Sequence, residues 1–223
     1  MDPKRVEKYF KPVSLRPGII LAVIGLIFAA ALPSGGKVFG ILLLLAGVAL
    51  IYFQFAGRPT DDEIQAEIDK LGAAAKATAL TKLGLDPDEV KLIDPVTIEG
   101  PRFGGGSMYR KGKDGVVRTS VNEVMVLFFS EHEVHSYTAV KDLRKPTYSS
   151  EATDEYFYRD VVSVATQTDS ARTPLGEVTV EKFKLTTSGG TSILCSAYDG
   201  GGLGRSINGM RSLIKQKKNA AAQ

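Results

Sequence analysis

The sequence predicts an α+β membrane protein: a two-helix transmembrane hairpin, then a mostly antiparallel β-domain that ends in a helix. Three observations predict it. Residues 18–57 hold two apolar blocks around a Pro-Ser-Gly-Gly-Lys turn, with Lys37 as their only charge. From Ser107 onward the pattern changes to alternating, β-branched residues between turn signals. Near the end, Ile207, Met210, Leu213 and Ile214 recur at helical spacing.

Residues 1–17 read as a basic cytosolic arm. Lys4, Arg5, Lys8, Lys11 and Arg16 stand against Asp2 and Glu7. The turn between the apolar blocks offers only Lys37. The positive-inside bias therefore predicts a multi-pass inner (plasma) membrane protein with both termini in the cytoplasm. Block 38–55 has 18 residues and is long enough to span. Block 18–32 has only 15, short of the ~20 that a ~30 Å hydrocarbon core requires. It extends through Val13, Leu15 and Pro17, with Arg16 reaching back to the headgroups. Tyr52 and Phe53 suit an aromatic belt, as do Tyr9 and Phe10. A buried hairpin of a soluble core is disfavoured because both blocks are apolar all round. A cleaved signal peptide lacks a clear cleavage site. Gly25 and Ala29, and Gly36 and Gly40, are four apart and permit close helix contact. Packing inside the hairpin is the simplest use of that spacing; association between subunits is the other. No ionisable side chain lies mid-block, which disfavours a transporter.

Residues 58–106 read as a juxtamembrane helix and connector. Thr60 with Glu63 makes a capping box, and Gly84 with Pro87 closes the helix. Gly72 is expected to break it. Pro87, Pro95 and Pro101 mark a connector around a short β-like run at 96–99, and Phe103-Gly104-Gly105-Gly106 reads as a flexible joint. No Lys or Ser/Thr follows those glycines where a phosphate cradle needs it. Residues 107–223 form the β-domain, with strands expected near 107–111, 116–130, 133–142, 155–167, 178–187 and 191–198. Residues 122–130 alternate poorly and should be buried on both faces or lie against the last helix. Asp199 and the glycines after it should turn the chain into that helix, which frays from Ala220.

Several antiparallel strands closed by one amphipathic helix outline a β-barrel of the pleckstrin-homology (PH-like) kind. The runs 124–129, Tyr156-Phe157-Tyr158-Arg159-Asp160-Val161-Val162-Ser163-Val164 and 183–190 resemble the bacterial PH-like domains. The likeness covers roughly residues 107–218. It implies a cytosolic-face binding or scaffolding module, often joined to membrane helices and usually without enzymatic activity.

The charge balance excludes a nucleic-acid binder. The arm is net basic, whereas residues 58–223 carry 22 basic and 23 acidic groups. The most site-like stretch is a basic hairpin, 109–118, in which Arg110, Lys111, Lys113 and Arg118 flank Asp114 and Gly115. Such a cluster suits anionic lipid headgroups, and the alternative is a solvated hairpin tip. His132 and His135 stand three apart beside Glu131 and Glu133, too few ligands for a metal site. The single cysteine, Cys195, reads as a small buried apolar residue. No catalytic constellation, metal or cofactor is expected. The partners expected are the lipid bilayer, its anionic headgroups and further copies of the chain. The first functional reading is a membrane-anchored binding or scaffolding protein. The second is a subunit of an oligomeric pore, with the hairpins around a channel and the β-domains in a cytosolic ring.

Overall fold

Local sequence signals set most helix ends. The computed structural model describes residues 1–90, 92–198 and 203–221. Asp2 caps a first helix, α1 (Pro3–Phe10), by accepting from the Lys4 N–H at 2.9 Å. That helix falls within the stretch expected to be an arm. The apolar blocks form α2 (Arg16–Ala31) and α3 (Ser34–Phe55). The turn between them is shorter than expected. Pro33 holds φ at −64° and its carbonyl accepts from Gly36 and Lys37, so the residues after it already form the first turn of α3.

Helix α4 (Asp61–Leu83) carries both bonds of the Thr60–Glu63 capping box and ends on Gly84 at φ 66°. Gly72 does not break it. A side chain at that position would press on the Glu99 carboxylate, 3.1 Å from where its Cβ would lie.

The strands are β1 (Val96–Pro101), β2 (Tyr109–Lys111), β3 (Val117–Thr119), β4 (Val121–Phe129), β5 (Glu133–Asp142), β6 (Tyr148–Phe157), β7 (Val161–Thr173), β8 (Gly176–Thr187) and β9 (Ser192–Ala197). Every pairing is antiparallel, in sheets ordered β1-β4-β5-β6, β2-β3 and β7-β8-β9. Helix α5 (Leu203–Ala221) follows. Residues 199–202, where a turn was expected, and 222–223, in the expected fray, lie outside the described residues.

The molecule is thus an α+β protein with mostly antiparallel sheets. The expected barrel closure is corrected: the two larger sheets meet at β1 and β9 without a continuous ladder. Gly100 packs against the Ser196 carbonyl, and the Tyr198 N–H reaches the Glu99 carbonyl at 3.2 Å. The neighbouring Ser196 N–H donates instead to the Glu123 carboxylate at 2.5 Å. A side chain thereby takes the donor that a closing ladder would need.

Strand β4 is the two-faced centre, as its poor alternation predicts. Met125, Leu127 and Phe129 face the second sheet and the buried Ile207, Met210 and Ile214 of α5. Val124, Val126 and Phe128 face Ala75 and Ala79 of α4. A third cluster joins Val6, Tyr9 and Phe10 of α1 to Ile64, Ile68 and Leu71 of α4. The β-domain therefore begins at β1, before the boundary expected at residue 107, and it is bound to both flanking helices.

Candidate functional site at the hairpin base

Helices α2 and α3 touch through glycine. A Cβ on Gly25 would stand 2.4 Å from the Leu44 nitrogen, and one on Gly40 would stand 2.3 Å from the Ala29 nitrogen. Seven residues along each helix the contact repeats, where a Cβ on Gly47 would lie 2.5 Å from the Ala22 nitrogen and 2.7 Å from the Gly18 carbonyl. The spacing of Gly25, Ala29 and Gly40 predicted this seam. The part played by Gly18, Ala22 and Gly47 was missed, although both glycines sit one heptad from a seam residue. Gly36 instead lies against Leu32 of its own chain turn.

The outer faces are largely exposed among the described residues. Ile20, Leu26, Val38, Leu42, Tyr52 and Phe53 are among the exposed side chains. Among the described residues one helix, 21 residues from Gly35 to Phe55, is long and apolar enough to cross a membrane. Only 11% of its most apolar window is buried, unlike the core helix of a soluble protein. Helix α2 falls short of that length, so the expectation of two full spanning helices reduces to one.

Below this seam the chain builds a polar joint. Lys8 crosses the last turn of α3, where its Nζ donates to the carbonyls of Phe53, at 3.0 Å, and Ala56. These carbonyls have no partner inside the helix, and a cation there also favours the helix dipole. Arg58 donates to the carbonyls of Tyr9, at 2.9 Å, and Lys11. Tyr9 is fully buried. Its hydroxyl donates to Asp61 at 2.7 Å, and the other oxygen of that carboxylate accepts from the Lys113 N–H at 2.8 Å. These two bonds hold Asp61 below the ordinary carboxylate range. Burial, then the bond to Asp61, pushes the Tyr9 phenol well up. One carboxylate thus joins α1, α4 and the β2–β3 hairpin.

The basic cluster separates into two kinds of residue. Arg118 is buried at 3% exposure and turns inward. It makes two bonds to Asp114, at 2.7 and 3.1 Å, and a third from Nε to Gln65. The hydrogen bonds it donates to Asp114 raise its pKa further. Arg110 donates to the Tyr9 carbonyl at 2.7 Å, with its guanidinium 4.3 Å over the Tyr9 ring. Both arginines thus bind protein, which removes Arg118 from any set that meets a headgroup. Lys111 and Lys113 project to solvent on the same hairpin. Lys4, Lys11 and Arg16 are exposed as well, with Lys11 paired to Glu7 at 2.8 Å. Sequence reasoning missed the joint itself. Val6, Tyr9 and Phe10 at one-turn spacing behind an Asp-Pro start were the signal that could have found it.

Elsewhere, burial pushes the Cys195 thiol well up, and its Sγ lies 3.6 Å from the Ile98 carbonyl oxygen. This is the environment of an inert core cysteine. A 330 Å³ groove runs between β7 and α5. Arg211 and Lys218 bond the Val164 and Val161 carbonyls there, at 2.8 and 2.9 Å, and cover part of that strand edge. The glycines 104–106 take positive φ and form a tight turn, with the Gly104 N–H bonded to the Tyr109 hydroxyl. His132 stays exposed in the β4–β5 turn, whereas His135 is buried between Glu133 and Glu155.

In comparisons with family models, curated proteins and solved structures, none matched this chain.

Proposed function

We propose that this chain is a membrane-anchored binding or scaffolding protein, with a PH-like β-domain held at the cytosolic face of the inner membrane. One observation carries the reading. The hairpin leaves its outer faces apolar and uncovered, while Lys8 and Arg58 tie its base to α1 and Asp61 ties α1 and α4 to the β2–β3 hairpin. Apolar faces of that extent are costly in water and need lipid or protein cover.

The lengths fit a bilayer. Helix α3, with 22 residues, rises ~33 Å, enough for a ~30 Å core. Helix α2, with 16 residues, rises ~24 Å, and Arg16 at its start is placed to reach headgroups while the bilayer thins locally. The four basic groups before α2, with Arg16 at its start, favour a cytoplasmic N-terminus, and a hairpin returns the β-domain to the same side. Two stacked antiparallel sheets with a helix packed across them support the PH-like reading.

The small residues of the hairpin meet each other inside one chain. That favours anchoring over a ring of hairpins held by small-residue contacts. Headgroup binding then falls to Lys111 and Lys113, backed by the basic arm, with Arg110 holding their hairpin in place.

The test is native mass spectrometry of the full chain released from nanodiscs that contain phosphatidylglycerol. The reading expects retained anionic lipid on the native chain and less on K111E/K113E. Equal retention by both would refute the headgroup role. Release of the protein from membranes by alkaline carbonate would refute the anchor.

A further inference from the structure

The β-domain carries a second polar cluster, independent of the hairpin. We propose that Glu133, His135 and Glu155 form a site for a divalent transition-metal ion of the zinc type.

Sheet geometry assembles the set. Glu133 and His135 are two apart on β5 and so share a face. The β5–β6 register places Glu155 directly opposite His135. One atom from each residue lies within 4.8 Å of the others. A tetrahedral zinc with bonds of about 2.1 Å holds its ligand atoms roughly 3.4 Å apart, so the set needs only a small contraction. Glu155 can supply it, because its side chain is 58% exposed and free to swing.

The decisive feature is the histidine ring. Its side chain is 4% exposed. The Ser130 hydroxyl donates its one proton to the Glu133 carbonyl at 3.1 Å. It can then face His135 as an acceptor, in the tautomer that carries the ring proton on Nε2, 3.2 Å away. That assignment leaves Nδ1 with a bare lone pair. Nδ1 is buried without a hydrogen-bond partner, and the Glu155 carboxylate lies 3.6 Å away. A bare ring lone pair beside a carboxylate favours a cation between them, and the exposed Glu155 side chain can move to share it. Glu133 adds a second carboxylate, 3.6 Å from Nε2, the nitrogen that Ser130 also faces and orients. One nitrogen and two carboxylate oxygens suit a borderline ion such as Zn²⁺ and leave a fourth position for water. The sequence hid the site because its third ligand comes from the next strand, twenty residues beyond His135.

The competing occupant is a proton, which would make His135 an imidazolium between two carboxylates. The experiment uses the full, tag-free chain in detergent, stripped with EDTA and titrated with Zn²⁺, then with Co²⁺ as a spectroscopic probe. The proposal expects one equivalent bound, a rise in the melting temperature and a visible Co²⁺ band. E155Q changes a half-exposed group and should keep the fold, yet weaken binding at least about tenfold. E133Q should do the same. Absence of stoichiometric Zn²⁺ binding, with stabilisation appearing only on acidification, would overturn the metal site in favour of the proton. Equal Zn²⁺ affinity in the native chain and both variants would overturn it by placing the ion elsewhere.

Discussion

Asp61 is the point where the hairpin base can be unlocked most selectively. In Asp61→Ala the Tyr9 hydroxyl loses its acceptor while remaining fully buried. An unsatisfied buried hydroxyl costs about 1–3 kcal/mol. The Lys113 N–H also loses its bond, but it is exposed and water replaces most of the loss. Removing an acidic group from the first turn of α4 adds roughly 0.3–1 kcal/mol through the helix dipole. The total is about 1–4 kcal/mol, or an increase in local opening of roughly 10- to 1,000-fold, at 1.4 kcal/mol per factor of ten. Tyr9→Phe leaves Asp61 solvated and bonded to Lys113, so it should cost only about 1 kcal/mol. Hydrogen exchange on the full chain in micelles reads the difference by segment. Amides of α1 and the β2–β3 hairpin should lose protection in Asp61→Ala, whereas β4 at the centre of the core should keep it. If α1 protection is unchanged, Asp61 does not join these elements. A uniform loss across the chain would show that the joint is not a local lock.

Three further outcomes follow from the same structure. Gly40→Val places a Cβ against the backbone of Ala29, which cannot yield, so α2 and α3 must separate; the cost is about 1–3 kcal/mol, visible as weaker crosslinking between cysteines placed across the seam. Glu99 lies beside Asp69 and against α4, and burial first, then Asp69, raises its pKa to about 7. Its protonated form is favoured by the fold, so its contribution to stability is complete below the ordinary value of 4.5 and is lost as pH rises through about 7. Glu99→Gln should therefore stabilise the chain at pH 8 by about 1–2 kcal/mol and flatten melting temperature between these two pH values; an unchanged slope would refute the assignment. Arg118→Met should destabilise the β2–β3 hairpin without altering lipid retention, whereas K111E/K113E should reduce retention without altering melting; reversed results would contradict the division of the cluster.

What the sequence made legible was whatever local chemistry decides. The capping box at Thr60, the Gly84 stop, the two-faced run of β4 and the apolar face of α5 all depend on neighbours within a few residues. Glycines and alanines four apart gave half of the hairpin seam. Strand β6 was mostly unread because it is an exposed edge strand. Its Ser, Glu, Thr and Asp residues carry no apolar alternation for a period of two to reveal. Strand β1 was read only as a short β-like run, 96–99, within a connector, because Pro95 and Pro101 bracket it at the edge of its sheet. The basic cluster was visible as charge, but the burial of Arg118 and the docking of Arg110 on Tyr9 depend on chain segments 53 and 101 residues away. Long-range partners of that kind leave no periodic mark.

On the function proposed above, the hairpin crosses into the membrane and returns, leaving α1 and the β-domain together on the cytosolic side. Labelling of single cysteines in intact cells and in inverted vesicles tests it most directly. In a Cys195→Ser background, cysteines are placed at Gly35 in the hairpin turn, at Lys4 and at Lys113, and a membrane-impermeant maleimide is added. The account predicts that position 35 reacts only from outside the cell, and that positions 4 and 113 react only in inverted vesicles. Reaction of positions 4 and 113 from opposite sides would contradict it, as would reaction of position 35 from the cytosolic side.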